Sequence, residues 1–544
     1  MRKIFTLPEL YLALVLVVAS FLYIYSISPN SFGYYHDDSI YVVTAKALAT
    51  GQGYRIISLP NEPVQTKSPP LHPLLLSLIW RINPDFPTNL VLMMNMSVLF
   101  AIFSLVIVWI YLTGLGYATK WRALIIIGLT ALNWRTIVLS CGIYTEMVYS
   151  AISITGLYLA EKYEKNEISR FNGIFVGIVI GLTSLTRSPG IALIGTVGAL
   201  FFYHKKFLQA GIPLIIANIF IVSWVVWGYL NMPTFAGVNT AYFESYLQTL
   251  GNVIDDVQHQ TGYPVILILI KIVVKNAIGL LAAIPLVCIG ASKEYIMHFG
   301  FAAVFVIVSF CQTFKKEIRF LHFYILFYLG LHLIWPYRAY DRFLMPLLPF
   351  LLLFFIQGIE TLTLLVHKEL TLGKTTLNKL IAFFLGVMLI SILIVGFVNY
   401  SKGIGGSLRS SNKLSSSVLE DSESIRWIKN HTEVSDVLVC YHDPLYFMYT
   451  GRKATRSTPL KEGGNLVSTN VSETEIGQAL FRIIRENHAR YLILSSTDFE
   501  FENDGELYRT TYRKLIEQNQ ETFVRVFQTT DERCEIYKII EETK

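Results

Sequence analysis

Two adjacent acids mark the first polar stretch after the N-terminal apolar segment. Asp37 and Asp38 follow His36 and precede residues 39–49, which have helical spacing. The positive end of a helix dipole stabilises ionised carboxylates at such a position, and an ionised carboxylate can take a proton from an attacking hydroxyl. One Asp would suffice as an N-cap. The pair therefore predicts either plain capping or a second role at the membrane face.

Three cations lie where apolar segments begin or end. Lys67 precedes two prolines that fix an extended entry into residues 74–79. Arg187 separates two short apolar runs, and Arg342 stands at the start of another. Arginine suits a two-pronged phosphate contact and lysine supplies a compact charge. The alternatives are an anchor that reaches the lipid headgroups and an internal ion pair.

A further acid, Glu146, occupies the short turn Tyr144-Thr145-Glu146 between two apolar segments. An ionisable group inside a membrane costs on the order of 2.5–3.5 kcal/mol, and less near the ends of a span, so such groups usually have a partner or a task. Acids and cations together at one membrane face favour a polar cavity that can accept a phosphate.

The elements that must position these side chains are membrane spans. Of the 544 residues 53% are apolar and only 15% are charged, a composition typical of a multispanning protein rather than a soluble one. We predict an α-helical bundle with an odd number of spans, 11 to 13. The count within that range stays open, and the candidate spans are 10–27, 88–112, 123–140, 147–160, 171–186, 188–203, 207–230, 276–292, 296–314, 320–337, 343–359 and 380–400.

Charge in the loops predicts the orientation. The Lys and Arg residues concentrate in alternate loops, and positive loops are cytoplasmic. We therefore expect a cytoplasmic N-terminus in the plasma (inner) membrane, with 28–87, 231–262 and 401–544 extracytoplasmic. Residues 263–314 could form two or three spans, and 264–275 could instead lie along the membrane surface. The charges that set this orientation are Lys120, Arg122, Lys162, Lys165, Arg170, Lys205, Lys206, Lys315, Lys316, Arg319, Lys368 and Lys374.

The composition changes after residue 400. Residues 1–400 are predicted to be the membrane domain, with large outer loops 28–87 and 231–262. Residues 401–417 are rich in Gly and Ser and are typical of a linker. Residues 418–544 predict a small extracytoplasmic α/β domain: a helix over 420–430, buried strands at 437–441 and 491–494, and a hairpin of 523–529 with 534–540. Cys440 and Cys534 could form one bridge there, but no cysteines have metal-ligand spacing.

Several of these features together resemble the C superfamily of glycosyltransferases, the multispanning enzymes that use polyprenyl-phosphate sugars. Protein O-mannosyltransferases and the aminoarabinose transferase of lipid A belong to it. The resemblance covers roughly residues 1–400 and also places an extracytoplasmic domain at the C-terminus. The matching residues are Asp37-Asp38-Ser39-Ile40-Tyr41 with Ala45, Pro69-Pro70-Leu71, Thr145-Glu146, Thr186-Arg187, and Arg342-Phe343 with Pro346 and Pro349.

The resemblance implies a sugar transfer from a polyprenyl-phosphate donor to a lipid, glycan or protein acceptor, with inversion. It implies Asp37, as the first acid, in the role of base, with Asp38 and Glu146 as further catalytic candidates. The implied substrate-binding residues are Lys67, Arg187, Arg342, Tyr41 and His36. This chain has Asp-Asp where the family commonly has Asp-Glu. In some relatives an acid before the prolines is associated with a metal ion, and this chain has no acid there. A divalent metal ion therefore stays an open expectation.

Two other functions compete with this hypothesis. A secondary transporter or flippase would have charges near mid-membrane and paired repeats, whereas the notable polar residues here lie at span ends. A non-catalytic sugar-binding or assembly protein would act through its outer domain alone. Nucleic acid is not an expected partner, because the net charge of +6 is spread through short loops that set membrane orientation. Membrane lipids are expected partners.

Overall fold

The protein was analysed as a computed structural model. It describes residues 7–33, 36–165, 172–233, 242–290, 300–335, 337–370, 422–458, 472–496, 498–499 and 505–540, with single positions between 376 and 398. The predicted linker, 401–417, and most of the predicted span 380–400 lie outside these residues.

Helices dominate the first 370 residues, because long apolar runs satisfy their backbone hydrogen bonds internally only as helices in lipid. They are α1 Leu7–Tyr25, α2 Asp37–Ala49, α3 Leu71–Ile82, α4 Leu90–Gly114, α5 Lys120–Leu132, α6 Trp134–Cys141, α7 Thr145–Glu164, α8 Asn172–Thr186, α9 Ile191–Tyr203, α10 Phe207–Leu230, α11 Tyr246–Thr261, α12 Val265–Ile289, α13 Phe301–Lys316, α14 Phe320–Leu333, α15 Tyr340–Leu344 and α16 Leu348–Leu370.

Not every helix has the length of a span. Among the described residues, five helical stretches are long and apolar enough to cross a membrane: Leu7–Tyr25, Leu90–Gly114, Phe207–Leu230, Val265–Ile289 and Tyr340–Thr361. A sixth results if α5 and α6, which bend by 62° at Asn133, form one span. The predicted multispanning bundle is confirmed.

The number of crossings is a separate matter. Two helices, α12 and α13, occupy the described part of the stretch between residues 262 and 316. Residues 264–275 were the segment that could instead lie along the membrane surface. All of them except residue 264 form the first part of α12. Two complete crossings would place Lys315 on the same side as residue 262, whereas the charge rule places them on opposite sides. The total of 11 to 13 therefore stays a prediction.

The chain forms two compact units, each assembled from three separated stretches. The helical unit comprises Met1–Ile27, Met94–Trp224 and Leu269–Gly405. The α/β unit comprises Ser28–Met93, Val225–Ile268 and Gly406–Lys544. The two stretches predicted to be large outer loops thus belong largely to the same compact unit as the C-terminal residues.

Close helix packing holds the helical unit together. A Cβ atom on Gly358 of α16 would lie 2.2 Å from the backbone oxygen of Phe305 in α13, so only glycine permits this approach. Around this contact, aromatic side chains such as Tyr111, Phe350 and Tyr324 are fully buried. The bundle is therefore a packed core rather than a loose set of spans.

A five-stranded sheet with the order β2-β1-β3-β5-β4 organises the C-terminal part of the α/β unit. β1 pairs in parallel with β2 and β3, and β5 pairs antiparallel with β3 and β4. The elements are α17 Glu423–His431, β1 Leu438–Cys440, α18 Asp443–Thr450, β2 Ala454–Arg456, α19 Glu473–Glu486, β3 Tyr491–Ser495, α20 Gly505–Gln518, β4 Phe523–Gln528 and β5 Cys534–Ile539.

The predicted strands and terminal hairpin are confirmed, and β2 is an element that sequence reasoning missed. β2 has only three residues and carries Arg456 at its end, so it lacks an alternating apolar pattern. The bridge considered for Cys440 and Cys534 is not formed, since both thiols are free and buried. Beside the sheet, Ala454 N–H donates to the backbone oxygen of Ser58 (2.9 Å), which ties β2 to the loop between α2 and α3.

Candidate functional site

The acid pair lies at the start of α2, as predicted, but its two members differ. Asp38 is 1% exposed. Its Oδ2 accepts the N–H of Gly33 (2.7 Å) and its Oδ1 accepts the N–H of Ser39 (2.9 Å). Those bonds close the turn and satisfy one of the first amides of the helix. Asp37 is the first residue of α2 and is only half-buried. The capping alternative therefore applies to Asp38, and Asp37 is the more accessible acid.

The other predicted residues of the α/β unit surround this helix and its loop. His36 precedes the acids at φ +63°. Tyr41 packs its ring edge against His72, with centroids 5.2 Å apart. Lys67 follows Gln65, whose Oε1 accepts the Lys67 N–H (2.9 Å), and its Nζ lies 5.9 Å from the ring centroid of Tyr246. Lys67 is half-buried.

In the helical unit three predicted residues come together. Glu146 lies in the first turn of α7, and its side chain is fully buried. Its Oε1 accepts a hydrogen bond from Arg342 Nε and lies 2.9 Å from Arg187 Nη1, with which it forms an ion pair. Arg187 lies between α8 and a short 3-10 turn at Ser188–Gly190, and Arg342 lies on α15. The internal ion pair considered as the alternative for each residue is thus present, and it joins all three.

These three side chains form a cluster, which we call the Glu146 cluster (Glu146, Arg187 and Arg342). One carboxylate faces two guanidinium groups in it. The guanidinium of Arg342 also lies 5.7 Å from the ring centroid of Tyr144, within cation–π range. The carboxylate positions the two cations, and guanidinium groups suit a bound anion.

Two further groups near the cluster have unused hydrogen-bonding capacity among the described residues. Oε2 of Glu146 is buried without a hydrogen-bond partner there. His332, which packs against Tyr328, points Nδ1 at that residue's backbone oxygen (2.7 Å). Because a carbonyl only accepts, Nδ1 carries the proton and Nε2 is an acceptor, buried and unpaired within the same part of the chain. Such atoms can accept hydrogen bonds from the hydroxyl groups of a bound ligand.

Sequence reasoning missed the ion pair of Arg135 and Asp341. Arg135 Nη2 lies 3.2 Å from Asp341 Oδ2, at the bend between α5 and α6. Asp341 Oδ1 also accepts the Arg342 N–H (3.0 Å), so the pair supports the segment that presents Arg342. An arginine inside the predicted span 123–140 was the available signal, because a charge in a span usually has a partner.

The structure brings Glu146, Arg187 and Arg342 together in the helical unit. His36, Asp37, Asp38, Tyr41 and Lys67 belong to the α/β unit. Across the described residues, no three His, Cys, Asp or Glu side chains come together as metal ligands, so we assign no metal site and derive no step through a metal.

The charges of the Glu146 cluster depend on one another. We expect Glu146→Gln to lower the free energy of unfolding by about 3–5 kcal/mol, because the two half-buried arginines would lose the buried carboxylate that they share. Adding Arg187→Gln should recover part of that loss. Thermal unfolding of the purified protein in detergent measures both effects, as a double-mutant cycle.

A surface pair provides the control for that cycle. Glu9 and Lys120 form a partly exposed ion pair (2.7 Å) in the same unit, and exposed pairs contribute little, about 0–1 kcal/mol. Glu9→Gln should therefore leave unfolding almost unchanged. Strictly additive losses for Glu146→Gln and Arg187→Gln would contradict the coupling.

Comparisons with known proteins bear on the fold. No protein-family model matches the sequence, and no curated protein matches it either. Among solved structures, ArnT from Cupriavidus metallidurans bound to undecaprenyl phosphate matches 97% of this chain and 98% of its own, with TM-score 0.53 and 11% identity. The Archaeoglobus fulgidus oligosaccharyltransferase, in complex with Zn and sulfate, matches 96% of this chain and 72% of its own, with TM-score 0.53 and 12% identity. The chain therefore shares its fold with these two proteins, in agreement with the fold that the resemblance predicted.

Proposed function

We propose that this protein is a membrane glycosyltransferase that moves a sugar from a polyprenyl-phosphate donor to a hydroxyl-bearing lipid, glycan or protein acceptor on the extracytoplasmic face. The observation that carries the proposal is the Glu146 cluster, a half-buried pair of arginines that one buried carboxylate holds together in a chain of this fold. An ArnT of the same fold was crystallised bound to undecaprenyl phosphate, and that ligand is the kind of leaving group the proposal requires.

The phosphate is the part of the donor that the cations would bind. Arg342 and Arg187 already share one oxygen of Glu146, which fixes their guanidinium groups before a ligand arrives. Preorganised donors stabilise developing charge without reorganisation during the reaction. We assign the departing phosphate to Arg342, aided by Arg187, and give Lys67 a supporting role as a compact charge.

The base is the second requirement. The acceptor hydroxyl loses its proton only as its oxygen bonds to the anomeric carbon, so placement of the carboxylate matters more than its basicity. Asp37 is assigned this role because it is half-buried at the start of α2. Asp38 is committed to the turn by Gly33 and Ser39. We assign it to holding that turn.

The proposed reaction is a direct displacement. The acceptor oxygen forms a bond to the anomeric carbon while the bond from that carbon to the phosphate oxygen breaks. The phosphate leaves with the electron pair and is neutralised by the arginines, and the acceptor proton passes to Asp37. Because the acceptor attacks opposite the leaving group, the product has the inverted anomeric configuration. Inversion is tested by supplying a donor of defined anomeric configuration and determining the configuration of the product by nuclear magnetic resonance.

Asp37→Asn tests the base. Asparagine keeps the size and much of the capping ability of aspartate, so the protein should fold and bind donor while turnover falls by about 10²–10⁴-fold, the range of general-base catalysis. The measurement is sugar transfer by the purified protein in nanodiscs, with acceptor in excess.

Three parallel variants make the Asp37 result specific. Asp38→Asn should act mainly on thermal stability, with a smaller effect on turnover, because Asp38 binds two backbone amides. Glu146→Gln should weaken donor binding, because Glu146 positions Arg187 and Arg342. His36→Asn tests whether the neighbouring imidazole is the base. Wild-type turnover in Asp37→Asn, together with a loss of turnover in Asp38→Asn, Glu146→Gln or His36→Asn, would move the base to that residue.

Arg342 variants test the phosphate contact. Arg342→Ala should weaken donor binding, and Arg342→Lys should restore it only in part, because lysine lacks the planar two-pronged geometry. Loss of one charged hydrogen-bonding group corresponds to about 1.5–3 kcal/mol, or roughly 10- to 150-fold in the dissociation constant. Binding of a polyprenyl phosphate without sugar gives this constant directly.

Two other arginines serve as comparisons. Arg122 pairs with Glu360 at the surface (2.8 Å), so Arg122→Ala should leave donor affinity unchanged. Arg338 has Nε and Nη2 buried without a hydrogen-bond partner in the described part of the chain, so it is the rival of Arg342. Unchanged affinity in a folded Arg342→Ala, with a loss in Arg338→Ala, would transfer the role to Arg338.

The proposed orientation has its own test. A cysteine at Asn430, an exposed residue of α17, should react with an impermeant reagent added outside intact cells, and a cysteine at the exposed Lys165 should not. The background should carry Cys311→Ser, because Cys311 is exposed whereas the other four cysteines are buried. Labelling at 165 alone would reverse the orientation.

A further inference from the structure

A buried carboxyl group of the C-terminal domain contacts the loop that carries the acid pair. Asp443 is the first residue of α18 and is fully buried. Its Oδ1 accepts the hydroxyl hydrogen of Tyr242 (2.6 Å) and lies 3.2 Å from Nε2 of His36. The Tyr242 oxygen lies 3.1 Å from the same ring nitrogen. Three stretches of the α/β unit, distant in sequence, thus meet at one oxygen atom.

The hydrogen bonds assign the tautomer of His36. Tyr242 has one hydroxyl hydrogen, and that hydrogen is directed at Asp443. Nε2 of His36 therefore carries the hydrogen that bridges to the Asp443 and Tyr242 oxygens, since neither partner has a second hydrogen to offer when Asp443 is ionised. The ring of His36 also stacks on that of Tyr242, with centroids 5.7 Å apart. These contacts hold the histidine ring in one orientation.

The backbone at His36 needs such support. Its φ of +63° lies in the left-handed region, which costs free energy for any residue except glycine and persists only where the surroundings impose it. Ser39 Oγ donates to the backbone oxygen of His36 (2.6 Å) from within the loop. From outside it, Asp443 and Tyr242 bind the side chain. The conformation of His36 sets the direction in which Asp37, the next residue, enters α2.

α18 contacts the same turn at its other end. Gly33 has φ +88°, and a Cβ atom there would lie 2.8 Å from Cδ2 of Leu445. The Gly33 N–H is also the donor to Asp38 Oδ2 (2.7 Å). One helix of the C-terminal domain therefore supports both ends of the turn, Gly33 through Leu445 and His36 through Asp443.

The surroundings of Asp443 are poor in compensating charge. Burial raises its pKa from 3.8 to about 7, opposed by the Tyr242 hydrogen bond and by Arg456. Besides His36 and Tyr242, the titratable or charged groups around it are His442, Arg456 and the Cys440 thiol. Burial lowers the pKa of His442 to about 3, so His442 supplies no positive charge at neutral pH. Oδ2 of Asp443 has no hydrogen bond within the described residues.

We propose that Asp443 is a positioning residue: through His36 and Tyr242, the C-terminal domain fixes the turn from which Asp37 is presented. The catalytic part of this inference rests on the proposed function, and the structural part does not. Asp443 itself contacts neither the acceptor nor the donor in this proposal. It acts through His36, so its removal should affect turnover more than the affinity for donor.

Hydrogen exchange of the full-length protein in nanodiscs tests the structural part. Asp443→Ala should speed exchange of the amides in 36–49 by up to about tenfold, the ratio that corresponds to losing one net hydrogen bond. Asp443→Asn keeps an acceptor oxygen for Tyr242 and His36 and should restore most of the protection. Wild-type exchange in α19 confirms that each variant is folded.

Asp498 provides the matched control. It is also buried in the C-terminal domain, its pKa is also raised to about 7 by burial, and it accepts a hydrogen bond from the Ser495 N–H (2.8 Å). Asp498→Ala should leave exchange in 36–49 unchanged. Equal acceleration in Asp443→Ala and Asp498→Ala, or none in Asp443→Ala, would overturn the proposal.

The pH dependence adds a readout that a purely steric role would not produce. Opening of the loop returns Asp443 to water, where its pKa is ordinary, so deprotonation favours the open form. Protection of 36–49, corrected for intrinsic exchange, should therefore fall as the pH rises from about 4 to about 7 and then level off. Asp443→Asn should remove this fall, and Asp498→Asn should retain it. A fall of the same size in Asp443→Asn contradicts the assignment.

Sugar transfer tests the catalytic part. Asp443→Ala should lower kcat by up to about 100-fold, the effect of a displacement of about 1 Å in a catalytic group, with the KM for donor little changed and with rescue by Asp443→Asn. Faster exchange with unchanged kcat would show that the turn does not position a catalytic group. If the wild-type protein transfers no sugar, the proposed function fails, and the exchange data still decide whether Asp443 holds the loop.

Discussion

A buried carboxylate between two guanidinium groups is the interaction on which the polar part of the helical unit depends. Glu146 starts a helix that continues into an apolar interior, where an unpaired charge is very costly. Arg187 and Arg342 remove that cost, and each is delivered by a break in helical structure, a 3-10 turn after α8 and the short helix α15. Helix breaks, which weaken a span, are therefore concentrated where the charges have to meet. Arg135 and Asp341 repeat the same solution at the bend between α5 and α6.

The α/β unit solves a different problem, that of ordering long polar loops. Its first stretch has few regular elements of its own between α2 and α3, apart from one isolated bridge at Arg55 and Val64. C-terminal elements contact this first stretch at several points. β2 contacts Ser58, and α18 contacts Gly33 and His36. Ordering such loops costs conformational entropy, and contacts with the C-terminal elements compensate for part of that cost.

Much of this architecture could be predicted from the sequence. Apolar runs and alternation gave most helices, the strands β1 and β3 and the terminal hairpin, because these depend on local pattern. Glu146, Arg187 and Arg342 were predicted as polar residues at span ends, with an internal ion pair as one alternative but without the identity of the partners. Asp443 and Tyr242 could not be predicted, since a single Asp before a proline is typical of a helix start and nothing local indicates a partner some 400 positions away, at His36. Long-range pairing is the information that pattern lacks.

The contact of the loop between α2 and α3 with β2 and the residue before it has a consequence for biosynthesis. Lys453 Nζ donates to the backbone oxygen of Ile57 across 396 residues of chain. At translation rates of about 5–20 residues per second, the loop emerges roughly 20 to 80 s before its partner strand exists. During that interval its polar backbone must be held by water, membrane surface or chaperones. A nascent chain that stops before β2 already contains helices α1 to α18 and still lacks the sheet, so this unit is completed only after β2 has been synthesised.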